Sequence, residues 1–358
     1  MNGTSSLSLR RVGWSSVVSR VSIGLDLEAT ARQFGAIRRV RKIRTAACLL
    51  RLALIWSPGR QSLREAAALA GEAGIAELSD KAVEGRLRTM GDWLAHILAH
   101  LLAQRLDRIA PPVAGSLSLS LVDGTVICTP GRAENWRLHA RYDPDIGRFS
   151  DLTLTTARGA ECASRTAITP GRITIMDRGY ARARSLGAVL DRGGAFIVRS
   201  SWRSLMLYDA HGARIDVPAL LANGRGACER RVWVRGIAQG LRLIIRPLPA
   251  QIAARQRLKR ARKANKKGHR MDPRTAVAAG FLILLTSLPN ATHSAARVAE
   301  CYRDRWQVEI GFKRLKTLGR IDELPSADPV LARTWILAQL IAAVLTDDLA
   351  NEIVGFPP

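Results

Sequence analysis

Apolar and polar positions divide the chain into stretches of different texture. Residues 1 to about 110 carry helical patterning. "TAACLLRLALIW" (45–56) is mostly apolar and is stopped by Ser57-Pro58-Gly59. "SLREAAALAGEAGI" (62–75) follows, and then "SDKAVEGRLRTMGDWLAHILAHLLAQRL" (79–106), with Ser79 or Asp80 as N-cap. Two helices joined by a short glycine-containing turn predict a helix-turn-helix, although an ordinary helical bundle shares the pattern.

The period changes after Pro111-Pro112. "SLSLSLVDGTVICT" (116–129) alternates and then turns β-branched. It reads as a strand, as do "RFSDLTLTTA" (148–157), "GRITIMDRGYA" (171–181) and "AFIVRSS" (195–201). "RARSLGAVLDRGG" (182–194) reads as a helix stopped by glycines, so this part is mixed α/β. From 202 to 275, short strand-like pieces separated by glycine turns predict a β-rich insertion. It ends in "RQRLKRARKANKKGHR" (255–270), which has nine Lys or Arg and no acid. Such a run reads as a basic loop, disordered or lying on a polyanion. "TAVAAGFLILLTSL" (275–288) returns to the core and a helix over 295–318 follows. "WILAQLIAAVL" (335–345) reads as a buried C-terminal helix, too short to span a bilayer.

The division predicted is four-part: a helical N-terminal domain (1–110), a first α/β part (111–201), the insertion (202–275), and a second part with the C-terminal helix (276–358). Charge sharpens it. The 358 residues carry a formal net charge of +25 and are 47% hydrophobic. A chain able to build a core yet so basic points to a polyanion, nucleic acid first and an anionic membrane surface second. The basic approach "RQFGAIRRVRKIRT" (32–45) favours DNA contact by the N-terminal helices. The five cysteines are far apart and none forms a C-x-x-C pair, which suggests neither a zinc site nor a disulfide framework and fits a reducing cytosol. The N-terminus lacks a continuous apolar run of the secretory type.

Candidate chemistry lies in three places. On a continuous helix Tyr302, Arg305, Glu309 and Lys316 fall within roughly a 60° wedge. The plain reading is an amphipathic surface helix supported by pairs such as Glu309–Lys313. Asp123 and Asp177, however, each end a β-branched run, where a carboxylate is uncommon unless paired or bound to a cation. An aspartate capping a turn is the competing reading for each. Together with Glu309 they offer three hard oxygen donors suited to Mg²⁺ or Mn²⁺, and two such ions support phosphoryl transfer. Arg305 and Lys316 would then hold phosphates and Tyr302 would donate a hydrogen bond to one.

The spacing Tyr302-x2-Arg305-x3-Glu309-x6-Lys316 resembles the YREK signature of bacterial insertion-sequence transposases of the DDE superfamily. "LVDGTVI" and "MDRGYA" resemble the contexts of their two catalytic aspartates, and "WRLHARYD" (136–143) a segment that follows the first. The resemblance covers roughly residues 60–345. It implies an RNase H-like core interrupted by a β-rich insertion, with Asp123, Asp177 and Glu309 holding two Mg²⁺ or Mn²⁺ ions. It also implies cut-and-paste cleavage of transposon-end phosphodiesters, often through a DNA hairpin, and transfer of the freed 3′-OH into target DNA. Tyr302, Arg305, Lys316 and, more weakly, Arg178 would contact DNA. The partners implied are double-stranded DNA and further copies of the chain in a synaptic complex, with no membrane; the location implied is cytoplasmic, on DNA. Trp202 and Trp233 would either stack a flipped base or fill a small β core; His139 is expected to be structural or to touch substrate. Competing readings are an inactive or domesticated transposase that only binds DNA, an RNase H-like nuclease without strand transfer, and a basic RNA-binding protein, which the low aromatic content disfavours.

Overall fold

The computed structural model describes residues 13–109, 117–131, 133–222 and 227–354. The expected change of register at 110–112 lies outside them. Helices α1 (Trp14–Val21), α2 (Leu27–Gln33), α3 (Ala46–Trp56), α4 (Leu63–Glu72), α5 (Asp80–Leu87) and α6 (Gly91–Asp107) open the chain. Their starts follow from side-chain caps. Asp26, Thr45, Ser62 and Ser79 each accept a first-turn backbone N–H, and Ser62 with Glu65 forms a capping box. Of the two N-cap candidates at α5, Ser79 is the one used.

The strands are β1 (Leu119–Ile127), β2 (Trp136–Asp143), β3 (Arg148–Thr156), β4 (Ile173–Met176), β5 (Ala195–Arg199), β6 (Cys228–Val232), β7 (Leu241–Pro247) and β8 (Phe281–Thr286). They form one sheet in the order β3-β2-β1-β4-β5-β8-β7-β6. Only β1, β4 and β5 run parallel to their neighbours in this group; every other pairing is antiparallel. Helix α7 (Ala183–Leu190) carries the chain from β4 back to β5. The architecture is a mixed α/β, RNase H-like sheet preceded by an all-α region.

The segment read as a β-rich insertion contributes β6 and β7 to the far edge of this same sheet, with helices α8 (Val217–Ala222), α9 (Ala250–Asn265) and α10 (Pro273–Ala278) around them. The basic run read as a loop is helix α9 over most of its length, a correction with a clear cause. Alanine, arginine, lysine and glutamine are strong helix formers, Pro249 occupies the N-cap, and Ala253 and Ala264 are buried. The expected helix over 295–318 is two: α11 (Ala295–Arg303) and α12 (Trp306–Thr317). Between them the bonds tighten to i→i−3, with Asp304 N–H donating to Cys301 O at 3.1 Å and Arg305 N–H to Tyr302 O at 3.3 Å. Tyr302 therefore lies on a different helix from Glu309, and the single-helix wedge does not hold across the break.

Helix α13 (Pro329–Val354) is longer than the apolar run suggested, and over Pro329–Glu352 it is long and apolar enough to cross a membrane by length and composition alone. Here most of its apolar residues are buried inside the protein, Val330 being an exposed exception. Trp335 meets Trp56 edge-on at 4.9 Å, and Ser57 Oγ donates to Trp335 O at 2.8 Å. One apolar core thus runs from α1–α6 through α13 onto one face of the sheet; a second, with α7 and α8, covers the other. The N-terminal helices share their core with the sheet.

Candidate active site

The site forms where the parallel pairing of β1 with β4 ends, β4 stopping at Met176 while β1 continues beside β2. Val122 of β1 is abreast of Met176 of β4. The next residues, Asp123 and Asp177, therefore stand side by side. Local backbone fixes each carboxylate: Asp123 Oδ1 accepts the Gly124 N–H at 2.8 Å, and Asp177 Oδ1 accepts the Gly179 N–H at 2.8 Å. Gly179 has no room for a side chain, since a Cβ there would fall 1.7 Å from Glu161 Oε2 and 3.1 Å from Asp177 Oδ1.

That crowding reveals Glu161, a fourth carboxylate beside the pair. It lies in an irregular loop with no periodicity to mark it, which is why reading the sequence missed it. Arg137 pairs with it at 2.8 Å. Burial and then the neighbouring Asp177 push its carboxyl above the usual range.

Glu309 comes from α12, which lies across β1 and β2. Gly311 permits this close seat: a Cβ at that position would stand 2.7 Å from Phe149 Cζ and 3.4 Å from Tyr142 Cδ2. Phe312 packs on Phe149 with ring centroids 5.5 Å apart. Arg305 then joins the acids. Its Nη1 donates to Asp123 Oδ2 at 2.9 Å and its Nη2 to Glu309 Oε1. Burial would lower the Arg305 guanidinium, but Tyr302, Glu309 and Asp123 together hold it above its ordinary value. Burial, and after it the Asp177 carboxylate, push Asp123 up to about 7 against the opposing Gly124 N–H and Arg305, and Glu309 adds to the rise.

Tyr302 is buried, only 8% exposed, with the Arg305 guanidinium 6.0 Å from its ring centroid. Burial raises its phenol, Arg305 and Arg199 oppose the rise, and Asp177 adds to it. Lys316 points back to the sheet, its Nζ donating to Val126 O at 3.0 Å. Arg178 sits beside Asp177 with a buried Nε that has no hydrogen-bond partner. His139 is fully buried in β2, with Nε2 3.0 Å from Thr155 Oγ1, and burial with Arg165 and Arg137 holds it down to about 4. In the β1–β2 register it stands opposite Gly124, the residue after Asp123. Trp202 donates through Nε1 to Thr275 Oγ1 at 3.3 Å, and the guanidiniums of Arg203 and Arg274 lie over its ring at 4.3 and 4.4 Å. Trp233 pairs through its backbone with Tyr208 and carries Arg231 over its ring at 5.5 Å.

A sheet of this order with paired aspartates at β1 and β4 and a glutamate-bearing helix laid across them defines the class. Residues 115–345 match the family described as "Transposase DDE domain", and the chain belongs to that family. It is 39% identical over 360 residues to the putative transposase InsL for insertion sequence element IS186A of Escherichia coli (strain K12), covering 96% of both chains. The transposase for insertion sequence element IS421 of Escherichia coli is 39% identical over 361 residues, again covering 96% of each. A more distant relative is the transposase for insertion sequence element IS231E of Bacillus thuringiensis subsp. finitimus, 21% identical over 295 residues, covering 71% of this chain and 61% of that one. The chain is an insertion-sequence DDE transposase, an enzyme of the polynucleotidyl transferase and endonuclease class that acts in DNA transposition.

Enzymes of this family generally depend on a divalent metal. The donor set fits one: Asp123, Asp177 and Glu309 are hard oxygen donors, and the upward shift of Asp123, due first to burial and then to Asp177, is of the kind a bound cation would relieve. Among the described residues, no three His, Cys, Asp or Glu side chains stand close enough to hold one ion in this conformation. Arg305 occupies the space between Asp123 and Glu309.

Proposed function

We propose that Asp123, Asp177 and Glu309 are the catalytic carboxylates and that, with two Mg²⁺ or Mn²⁺ ions, they cleave the phosphodiester at a transposon end and join the freed 3′-OH to target DNA. The observation that carries this reading is the β1–β4 register, which sets Asp123 beside Asp177, together with the Arg305 bridge from Asp123 to Glu309. Bound metal would supply a nucleophilic water or alkoxide and would stabilise the leaving oxygen. The chain's own residues do the rest. Asp123 and Asp177 are held in place by backbone N–H groups, so two ligands are pre-set. Arg305 exchanges its carboxylate partners for a phosphate oxygen of the DNA, which frees Asp123 and Glu309 to bind metal. Buried Tyr302 backs Arg305 and limits its reach. Lys316, near the far end of β1, meets the backbone further along the strand.

The DNA is double-stranded, at transposon ends and at the target, and two or more copies of the chain pair the ends. The N-terminal helices take part. A groove of about 700 Å³ between the α2–α3 connection and α5 is lined by Arg38, Arg39, Arg41, Lys42 and Arg86, a surface suited to phosphates. The division into four segments given above and a cytoplasmic, DNA-bound location belong to the same reading.

The test is Glu309→Gln. Its side chain is 57% exposed, so the fold tolerates the change. End cleavage in Mg²⁺ should be lost while end binding persists. Cleavage at the wild-type rate would remove Glu309 from the catalytic set. Supplying a pre-cut 3′-OH end and looking for joined product separates this reading from a nuclease without strand transfer.

A further inference from the structure

The other side of Asp177 carries an opposite pattern. In the parallel register of β4 and β5, Met176 is abreast of Val198, so Asp177 is followed across the sheet by Arg199. Arg178, next in the chain, stands in the same place. Arg260 reaches it from α9. These three cations come from three separated parts of the sequence. Among the described residues none of their guanidiniums makes an ion pair or a hydrogen bond to the protein, and Arg178 Nε is buried without a partner. Burial first, and then the nearby Arg260 and Arg199 charges, hold the Arg178 guanidinium below its ordinary value, and burial and then Arg199 do the same to Arg260. All three arginines are half-buried, and drawing a charge even partly away from water without an acid beside it is unfavourable. Asp177 is the nearest acid and it faces the carboxylate side as well. Helix α9 brings no acid of its own: Arg255, Arg257, Lys259, Arg262, Lys263, Lys266 and Lys267 continue the positive charge outward from Arg260.

We propose that Arg178, Arg199 and Arg260 form a phosphodiester-binding subsite on the β5 side of the catalytic carboxylates, and that α9 is the arm that delivers it. The proposal rests on the reading of Asp123, Asp177 and Glu309 as the reacting centre, since the subsite holds the backbone next to the scissile phosphate. A guanidinium offers forked donors that match phosphate oxygens, and three of them around one groove hold one or two adjacent phosphates. Phosphate supplies the counter-charge that the fold leaves out. The same chemistry serves the transposon end or the target strand.

Arg199→Gln and Arg260→Gln in the full-length protein test this in two arms. In the first, binding to a duplex carrying the element's own end is measured across a salt series. Each variant should bind several-fold more weakly, with the salt slope shallower by about one. In the second, wild type and variants are loaded with a pre-cut end and titrated with target duplex, and a shift confined to this arm assigns the subsite to target DNA. Thermal melting of the DNA-free protein separates ligand binding from a structural role: removing one of three repelling cations should leave Tm unchanged or raise it. Wild-type behaviour in both DNA arms, or a Tm that falls along with binding, overturns the subsite. Glu309→Gln run alongside keeps the two proposals apart, because it should lose cleavage with the wild-type salt slope. If it cut normally, the catalytic reading would fail whatever the arginines did.

Discussion

Strand β4 has an arginine cluster at each end, and the two are built on opposite principles. At its amino end Arg172 and Arg141 surround Asp143, which is 0% exposed. That carboxylate accepts from Arg141 Nε at 3.0 Å, from Ser120 Oγ at 2.8 Å and from Ser150 Oγ, and pairs with Arg172 at 3.2 Å. Asp145 takes Arg172 Nη2 at 2.6 Å, and Thr169 Oγ1 takes Arg141 Nη1 at 2.6 Å. At the carboxyl end Arg178 and its neighbours Arg199 and Arg260 have no such acid. The difference separates two uses of the same side chain. Where the fold is the purpose, the buried guanidiniums of Arg141 and Arg172 are both paired with carboxylates of the β2–β3 hairpin. Where a polyanion is to bind, the counter-charge is left to the ligand. The paired cluster also explains why "WRLHARYD" has the residues it has: Arg141 and Asp143 lock β2 to β1 and β4 and hold the frame that carries Asp123.

The comparison breaks most decisively at Asp143. Asp143→Asn leaves Arg141 and Arg172 buried without a full counter-charge and should cost about 3–5 kcal/mol in urea unfolding. A loss below about 1 kcal/mol would mean the paired cluster contributes little, and the contrast with the other end of β4 would lose its meaning.

The two halves of that contrast were unequally visible in the sequence. Asp123 and Asp177 could be found because each interrupts a β-branched run, although β4 stops just before Asp177 while β1 carries on past Asp123 to Ile127. Glu309 stood out by its spacing from Arg305 and Lys316. The helix break at residues 304–305 was hidden, because no proline or glycine marks it and the i→i−3 tightening comes from packing Tyr302 into the core. Helix α9 was misread because charge density outweighed propensity. Arg199 and Arg260 gave no local signal at all: Arg199 matters through sheet register and Arg260 through a helix arriving some sixty residues later in the chain. Glu161 shares that fate, as a loop residue made significant only by the glycine beside it.

Two smaller perturbations sharpen the contrast by moving the frame while leaving both arginine clusters intact. Gly311→Ala pushes a methyl against Phe149 and should cost about 1–3 kcal/mol, because α12 cannot keep its seat. End cleavage should fall with it, since Glu309 moves with the helix; full activity would show that α12 has room to shift. His139 is a buried base kept neutral. Its folded value of about 4 lies below the ordinary value of 6.5. The unfolded chain therefore takes up the proton first, and stability that is intact above pH 6.5 is lost as pH falls toward 4. His139→Gln should flatten that part of the curve by about 1–2 kcal/mol between pH 7 and pH 4.5, read as the difference between two urea series. Parallel curves would place the acid sensitivity in other groups.

Lys316 stands between the two principles and should give the smallest effect. It has one partner, the Val126 carbonyl at 3.0 Å, and no acid. A neutral carbonyl satisfies one of its three donors and none of its charge, so the ammonium is partly committed to the fold and partly available to a phosphate. Lys316→Gln keeps a donor for Val126. If the carbonyl is the main role, melting stays near wild type and so does DNA binding. If the charge is the main role, melting is equally unmoved but the salt slope for end binding becomes shallower by about one, with affinity only a few-fold weaker. The second result is expected, because a cation within reach of the end of β1 and without an acid belongs with Arg178, Arg199 and Arg260. An unchanged slope would move Lys316 to the structural group and leave phosphate binding near the site to Arg305 and to the arginines without a protein partner.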